Sequence, residues 1–361
     1  MEKDIIKVCR AFKIYDEFLG YKEITIGNIN STYRVYFLRP DGSKKSFVLQ
    51  KLNLFVFKHP QAVMRNIDLV TEHIRAERLE GINLHYHHTI TGENYYIDET
   101  GFWRMMNFID SVSCDQCQGT DILYNAGKAF GKFQCDLQTF NANALFETIK
   151  DFHNTPKRLE QLFEDVENAK KRNSSRVNDI CEELEYIKSV KETASIIQKL
   201  HDDGELPVRV THNDTKINNV LFEKGTGNAL TVIDLDTVMP GLVAHDFGDA
   251  VRFGANFVEE DSPEFEKAGL DLEKFTSFAK GFILSTKKIL TKREIETLAL
   301  SCFTLTIELA ARFLADYVND DVYFHTRYSE HNLVRARCQI ALAKDILLKQ
   351  DKMKEIIKSC L

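Results

Sequence analysis

VRVTHNDTKINNVLFEKGTGNALTVIDLDTVMPGLVAHDFGDAVR, residues Val208 to Arg252, holds three short apolar runs. Val208 to Thr211 and Asn219 to Phe222 flank a polar turn, and Leu230 to Ile233 runs into Asp234-Leu-Asp236. Short apolar runs bounded by polar residues read as strands. The ends of these three place carboxylates and carboxamides at one edge.

Those residue types suit phosphoryl transfer. A transferred phosphoryl group needs an acceptor hydroxyl held in line by a carboxylate, and metal ions held by an Asp and an Asn. Magnesium, a hard cation, takes such oxygen ligands. His212-Asn213-Asp214, followed after four residues by Asn219, has the H-x-D-x-x-x-x-N spacing of a kinase catalytic loop, and Asp234 follows on the next strand.

The segment resembles the aminoglycoside phosphotransferase and choline kinase superfamily, relatives of protein kinases that phosphorylate small molecules. Within it, THNDTKINNVLF, VIDLDTVMPG and HDFGDAVR look most like bacterial N-acetylhexosamine 1-kinases. The resemblance implies Asp214 as the catalytic carboxylate and Asn219 and Asp234 as magnesium ligands. It makes Asp246 a brace beneath the catalytic loop, with His212 fixing the same loop. Asp236 is expected at the metal shell or the sugar.

At 361 residues the chain is long enough for two lobes with a large core. A net charge of −7 argues against nucleic acid as the main partner. The opening MEKDIIKVCR carries charges where a secretory signal needs an apolar stretch, and Leu298 to Val318 contains Glu308, Arg312 and Asp316, which argues against a membrane span. These features predict a cytoplasmic protein. Cys114-x-x-Cys117 lacks the second ligand pair a structural zinc site requires, and the eight cysteines read as thiols.

Taken in order, residues 1 to about 20 read as an amphipathic helix ending at Gly20, and Glu23 to Asn30 and Tyr33 to Leu38 as strands. The turn between them, Gly27 to Thr32, sits where kinases cover the nucleotide phosphates. Resemblance places Asn30 and Thr32 at the cofactor and Asn28 at the substrate. Asp41-Gly42 is a turn leading into Ser46 to Leu52. The phosphate-binding cation of that strand is expected at Lys51, brought inward by a bulge, because the regular inward position is Gln50. Pro60 to Glu80 reads as a helix whose Glu72 or Glu77 would pair with that cation.

Strands are expected at Leu84 to Ile90, Tyr95 to Ile97 and Phe102 to Ile109. The last resembles the strand entering the kinase hinge, so adenine would meet backbone near Met106 to Phe108. From Asp121 the periodicity is helical, with Leu123, Ala126, Phe130, Phe133 and Leu137 in one stripe. Thr291-Lys-Arg-Glu294 is a capping box opening a helix to about Val318. On it Arg312, with Tyr323 beyond, is a candidate sugar contact; an Arg312 to Asp316 helix pair is the alternative.

The sequence thus predicts a two-lobed, protein-kinase-like α+β fold. A small β-rich nucleotide lobe spans 1–110, and a larger helical catalytic and substrate lobe spans 111–361. The expected activity is ATP- and magnesium-dependent phosphorylation of a small molecule, the anomeric hydroxyl of N-acetylglucosamine or N-acetylgalactosamine. The alternatives are another acceptor such as choline, homoserine or an aminoglycoside, or a nucleotide-binding protein without catalysis.

Overall fold

A short helix, α1 (Glu2–Ala11), opens the chain in the computed structural model, which describes every residue except 1, 25–28, 78–81, 83 and 115–118. Its apolar residues Ile5, Val8 and Cys9 recur at helical spacing and are buried. The helix stops earlier than its periodicity suggests. Lys13 takes a left-handed φ of 65°, its N–H reaches Arg10 O (3.0 Å), and Ile14 N–H reaches Cys9 O (3.2 Å). That bond pair is the helix terminator usually built on glycine. Phe18, expected on the helix, lies instead in β1.

The chain divides into two compact units. The first comprises Met1–Ser111, Asn143–Ile149 and Ile233–Met239, and the second the remainder. In the first, β1 (Glu17–Ile24), β2 (Ser31–Leu38), β3 (Lys44–Lys51), the helix α2 (Pro60–Glu77), β4 (Tyr96–Asp98) and β5 (Gly101–Asn107) follow in turn. The strands form one antiparallel sheet in the order β1-β2-β3-β5-β4. Side chains alternate across a strand. Tyr33, Val35 and Phe37 of β2, Phe47 and Leu49 of β3, and Trp103 and Met105 of β5 therefore share one face, in a core with Ile5, Val8, Cys9 and Phe12.

The opposite face carries a row of three paired residues, Thr32, Gln50 and Arg104, across β2, β3 and β5. The strand expected over 84–90 is reduced to a bridge between Tyr86 and Met106 and the flanking bonds His87 N to Met105 O and Asn107 N to His85 O. The two later segments are stitched in by Asn66 of α2. Its amide donates to Phe146 O (2.7 Å) and Val238 O (3.0 Å) and accepts from Phe146 N (2.9 Å).

The second unit begins with α3 (Thr120–Asp136), α4 (Thr155–Lys171), α5 (Cys181–Ala194) and α6 (Ile196–Asp202). The expected α3 stripe is buried throughout. The strands β6 (Arg209–Thr211), β7 (Val220–Phe222), β8 (Ala229–Val232) and β9 (Met239–Gly241) come next; β7 and β8 pair with Val220 opposite Val232. Four helices complete it: α7 (Val243–Gly254), α8 (Leu272–Thr286), α9 (Lys292–Val318) and α10 (His331–Ser359).

Helices α3 and α8 touch backbone to backbone. A Cβ at Gly281 would fall inside the Tyr124 carbonyl oxygen and 2.8 Å from Lys128 N, and one at Gly127 would strike Phe278 O. The capping box forms as expected, with Glu294 N to Thr291 Oγ1 at 3.1 Å and Thr291 N to Glu294 Oε2 at 2.7 Å. Although α9 is long and apolar enough to cross a membrane, 78 % of its most apolar window is packed inside the protein.

Candidate functional site

The loop from His212 to Asn219 is held by acids on α7. Asp246 accepts His212 N at 3.0 Å, Asn213 N at 2.8 Å and the Gln134 amide of α3 at 2.8 Å. Burial pushes the Asp246 carboxyl above the ordinary carboxylate value, and those donors oppose the rise. Asp249 accepts Thr215 N at 2.9 Å, while Thr215 Oγ1 donates to Asp246 O at 2.6 Å. Asn213 sits at φ 63°, a left-handed conformation Asn tolerates. The fully buried His212 ring meets Phe130 and Phe133 edge-on at 5.7 and 5.8 Å. Asp246, expected beneath this loop, bonds its backbone, and His212, expected to fix the loop, is its first residue and packs against Phe130 and Phe133 of α3.

Asp214 is presented at the centre of this frame. Its Oδ2 lies 3.1 Å from Asn219 Nδ2, which also donates to Asp214 O at 2.8 Å, and its Oδ1 lies 3.1 Å from Lys216 Nζ. Lys216 was not singled out from the sequence, although a Lys two residues beyond an expected catalytic Asp is a readable signal. The Asp214 carboxylate raises its ammonium pKa against the opposing effect of burial, and Glu260 and Asp249 add to the rise. Arg252 pairs with Asp249 at 2.7 Å and also with Glu260.

In the first unit, Asp234 is exposed, two residues past the end of β8, in a left-handed conformation (φ 60°, ψ 62°). Asp236 is buried. Its Oδ1 pairs with the Arg104 guanidinium, and its Oδ2 accepts Asn30 Nδ2 at 2.8 Å. With both oxygens engaged and the side chain sealed, Asp236 does not fit the metal or sugar contact expected of it. Asn30 is also committed, through Oδ1, to Asn53 N at 3.0 Å, and Thr32 Oγ1 accepts Gln50 Nε2 at 3.0 Å. Asn28 lies outside the described residues.

The cation facing this network is Arg104, not Lys51. Strand β3 keeps a regular register past Gln50, opposite Arg104, and Lys51, opposite Trp103; the bulge that would turn Lys51 inward is absent. The Lys51 side chain instead runs beside Gly101 with Nζ 5.9 Å from the Trp103 ring. Arg104 Nε donates to Gln50 Oε1 at 2.9 Å. Glu72 and Glu77, the expected helix partners, are both exposed, and Glu72 pairs with Arg75. Sequence reasoning missed Arg104 because only the β3–β5 register places it beside Gln50.

At the expected hinge, Met106 is buried opposite Val48, and the Phe108 ring lies beneath the Arg34 guanidinium at 3.5 Å. In the second unit Arg312 and Tyr323 come together. The Arg312 guanidinium carbon lies 5.1, 5.9 and 5.5 Å from the rings of Phe152, Tyr323 and Phe324. No helix pair with Asp316 forms, because that carboxylate accepts Tyr323 N (2.8 Å), Phe324 N (2.9 Å) and Asn332 Nδ2 (2.9 Å).

The family described as the phosphotransferase enzyme family matches residues 20–279. Among solved structures, a microcompartment-associated aminopropanol kinase is similar at 16 % identity and a TM-score of 0.66, over 97 % of this chain and 98 % of that one. An aminoglycoside phosphotransferase from Alicyclobacillus acidocaldarius gives 10 % and 0.62 over 98 % and 96 %. A spectinomycin phosphotransferase in complex with ADP and spectinomycin gives 13 % and 0.56 over 92 % and 93 %. These likenesses show a shared fold, a β-sheet region followed by a helical one, and with most of its length matched the chain belongs to the phosphotransferase enzyme family.

Proposed function

We propose that the protein is an ATP-dependent kinase of a small hydroxyl acceptor, and that this acceptor is an N-acetylhexosamine phosphorylated at its anomeric hydroxyl. One observation carries the reading. The Asp214 carboxylate is held between Asn219 and Lys216, each 3.1 Å away, on a loop pinned by Asp246 and Asp249. A carboxylate fixed in this way orients an attacking hydroxyl and takes up its proton. The Lys216 ammonium beside it favours negative charge developing on the transferred group.

Use of ATP is supported by the family and by the relative that holds ADP. Asn219 and Asp234 are the proposed magnesium ligands, and their chemistry fits. Asn219 gives its amide hydrogens to Asp214, and its Oδ1 makes no hydrogen bond among the described residues. Asp234 adds an exposed carboxylate. Magnesium, when bound, neutralises charge on the phosphate oxygens.

The acceptor class is argued from Arg312. This half-buried guanidinium rests among three rings and makes no hydrogen bond among the described residues, so its donors suit a carbonyl or ring oxygen. The Tyr323 ring beside it offers an apolar face to a sugar. Arg158, whose pKa burial and then Arg312 push down, adds a second positive charge. Two guanidinium groups disfavour the cationic amino-alcohol acceptor that the name of the aminopropanol kinase implies.

The test is purified protein with magnesium and ATP against free sugars, choline, aminopropanol and aminoglycosides, following ADP release and locating the phosphate by phosphorus NMR. A sugar 1-phosphate from N-acetylhexosamines is the expected product. Turnover with cationic acceptors alone would overturn the substrate class and keep the chemistry. No turnover with any acceptor would favour a binding protein of the same fold.

A further inference from the structure

His153, just before α4, is buried, and both its ring nitrogens face acceptors. Nδ1 lies 2.7 Å from Glu308 Oε1 on α9, and Nε2 lies 3.0 Å from the backbone oxygen of Asn213. A carbonyl has no hydrogen to give, so the proton between Nε2 and Asn213 belongs to the imidazole. Glu308 is equally provided for, since its other oxygen accepts Thr155 Oγ1 at 2.7 Å. If the carboxylate is ionised, Nδ1 must carry a proton too, and the ring is a cation.

The surrounding charges agree. Burial lowers the His153 pKa, but Glu308 of α9, Asp249 of α7 and the Asn213 carbonyl together carry it above the ordinary histidine value. Burial pushes Glu308 up, but His153, Arg312 and the Thr155 hydroxyl bring it below the ordinary carboxylate value. Arg158 of α4 also senses Glu308. His245 of α7, 5.1 Å from His153 between ring centres, is driven down to about 3 by burial and then by the charge on His153, so it is the neutral member of the pair.

We propose that His153 is carried as an imidazolium and is a positioning residue for Asp214, tying Glu308 on α9 to the peptide that presents the catalytic carboxylate. The Asn213 carbonyl and the Asp214 N–H belong to one planar peptide, so holding the first orients the second. Glu308 stands one turn before Arg312 on the same helix face. The bridge therefore joins the proposed acceptor helix to the catalytic loop through a buried charge. It rests on the reading of Asp214 as the catalytic carboxylate.

Two measurements test it. The first is the ring-nitrogen NMR of histidine-labelled wild-type protein at about pH 7.5, where an unperturbed histidine is mostly neutral. One histidine is expected with both nitrogens protonated, and that signal moves to a neutral tautomer in Glu308→Gln. A neutral His153 in the wild type overturns the proposal. The second is the pH dependence of kcat with the acceptor found above. Glu308→Gln is expected to bring the alkaline fall in kcat to lower pH by about one unit or more, and His153→Asn to lower kcat about tenfold or more with KM for ATP within about twofold. An unshifted profile in Glu308→Gln would mean that the pair only fills space and would overturn the positioning role. A wild-type protein without turnover but with the imidazolium would remove Asp214 from the mechanism and leave the charged bridge standing.

Discussion

Arg104 of β5 and Asp236, both in the sheet unit, form an ion pair whose side chains are only 1 % and 4 % exposed. Burial disfavours the guanidinium charge, but the Asp236 carboxylate, helped by Tyr86 and Asp234, holds the Arg104 pKa above the ordinary value. Removing one partner of a buried pair leaves an uncompensated charge, which costs roughly 3–5 kcal/mol. Arg104→Met is therefore expected to destabilise the protein strongly, and Arg104→Met combined with Asp236→Leu to recover much of the loss. Thermal melts of the two single variants and the double variant check this. Losses that simply add would mean the pair is not coupled.

Asp214→Asn is expected to retain nucleotide affinity while turnover falls by roughly two to four orders of magnitude, the scale of a positioned acid or base. The substitution is nearly isosteric, and Lys216 loses its nearest carboxylate while Asp249 still anchors the loop. ATP binding by calorimetry and ADP release under saturating acceptor separate the two effects. Undiminished turnover would exclude Asp214 from the chemistry.

The loop over residues 212–219 was legible as a structural unit because its residues lie within a few positions of one another and its strands carry clear apolar runs. The α3 stripe and the α9 capping box were legible for the same local reason. What stayed hidden depends on distant segments. Arg104 is 54 residues from Gln50 and meets it only through strand register. His153 and Glu308 are 155 positions apart, and neither spacing nor periodicity links them. Lys13 ends α1 where the helical pattern shows no glycine. The Lys51 expectation followed charge over strand face, and the regular pleat of β3 decided for Gln50.

Gly281→Ala is expected to destabilise by about 1–3 kcal/mol or more, the scale of core overpacking. The obstacle is backbone, Tyr124 O and Lys128 N, so no side-chain rotamer relieves it. Helix α3 also carries Gln134, whose amide holds Asp246. Displacing α3 should therefore lower kcat as well as the melting temperature. A fully stable, fully active Gly281→Ala protein would show that the α3–α8 contact is looser than its backbone spacing requires.

His245 fixes the direction of acid sensitivity. In the fold its pKa is held down to about 3 by burial, whereas in the unfolded chain it returns to its ordinary value. Between those values the unfolded chain binds the extra proton, so stability falls as pH falls from the ordinary histidine value, by about 1.4 kcal/mol per pH unit for one proton. His85 and His87, also lowered chiefly by burial, act with the same sign. His153 acts oppositely: its raised pKa contributes stability that is fully present below the ordinary histidine value and is lost as pH rises through the folded one. His245→Gln should flatten the acid limb of a stability–pH curve by about one proton while leaving the alkaline limb in place. Urea midpoints from mildly acidic to mildly alkaline pH measure both limbs. An acid limb of unchanged slope in His245→Gln would mean that His245 takes up its proton in the folded state and that its burial beside His153 does not keep it neutral.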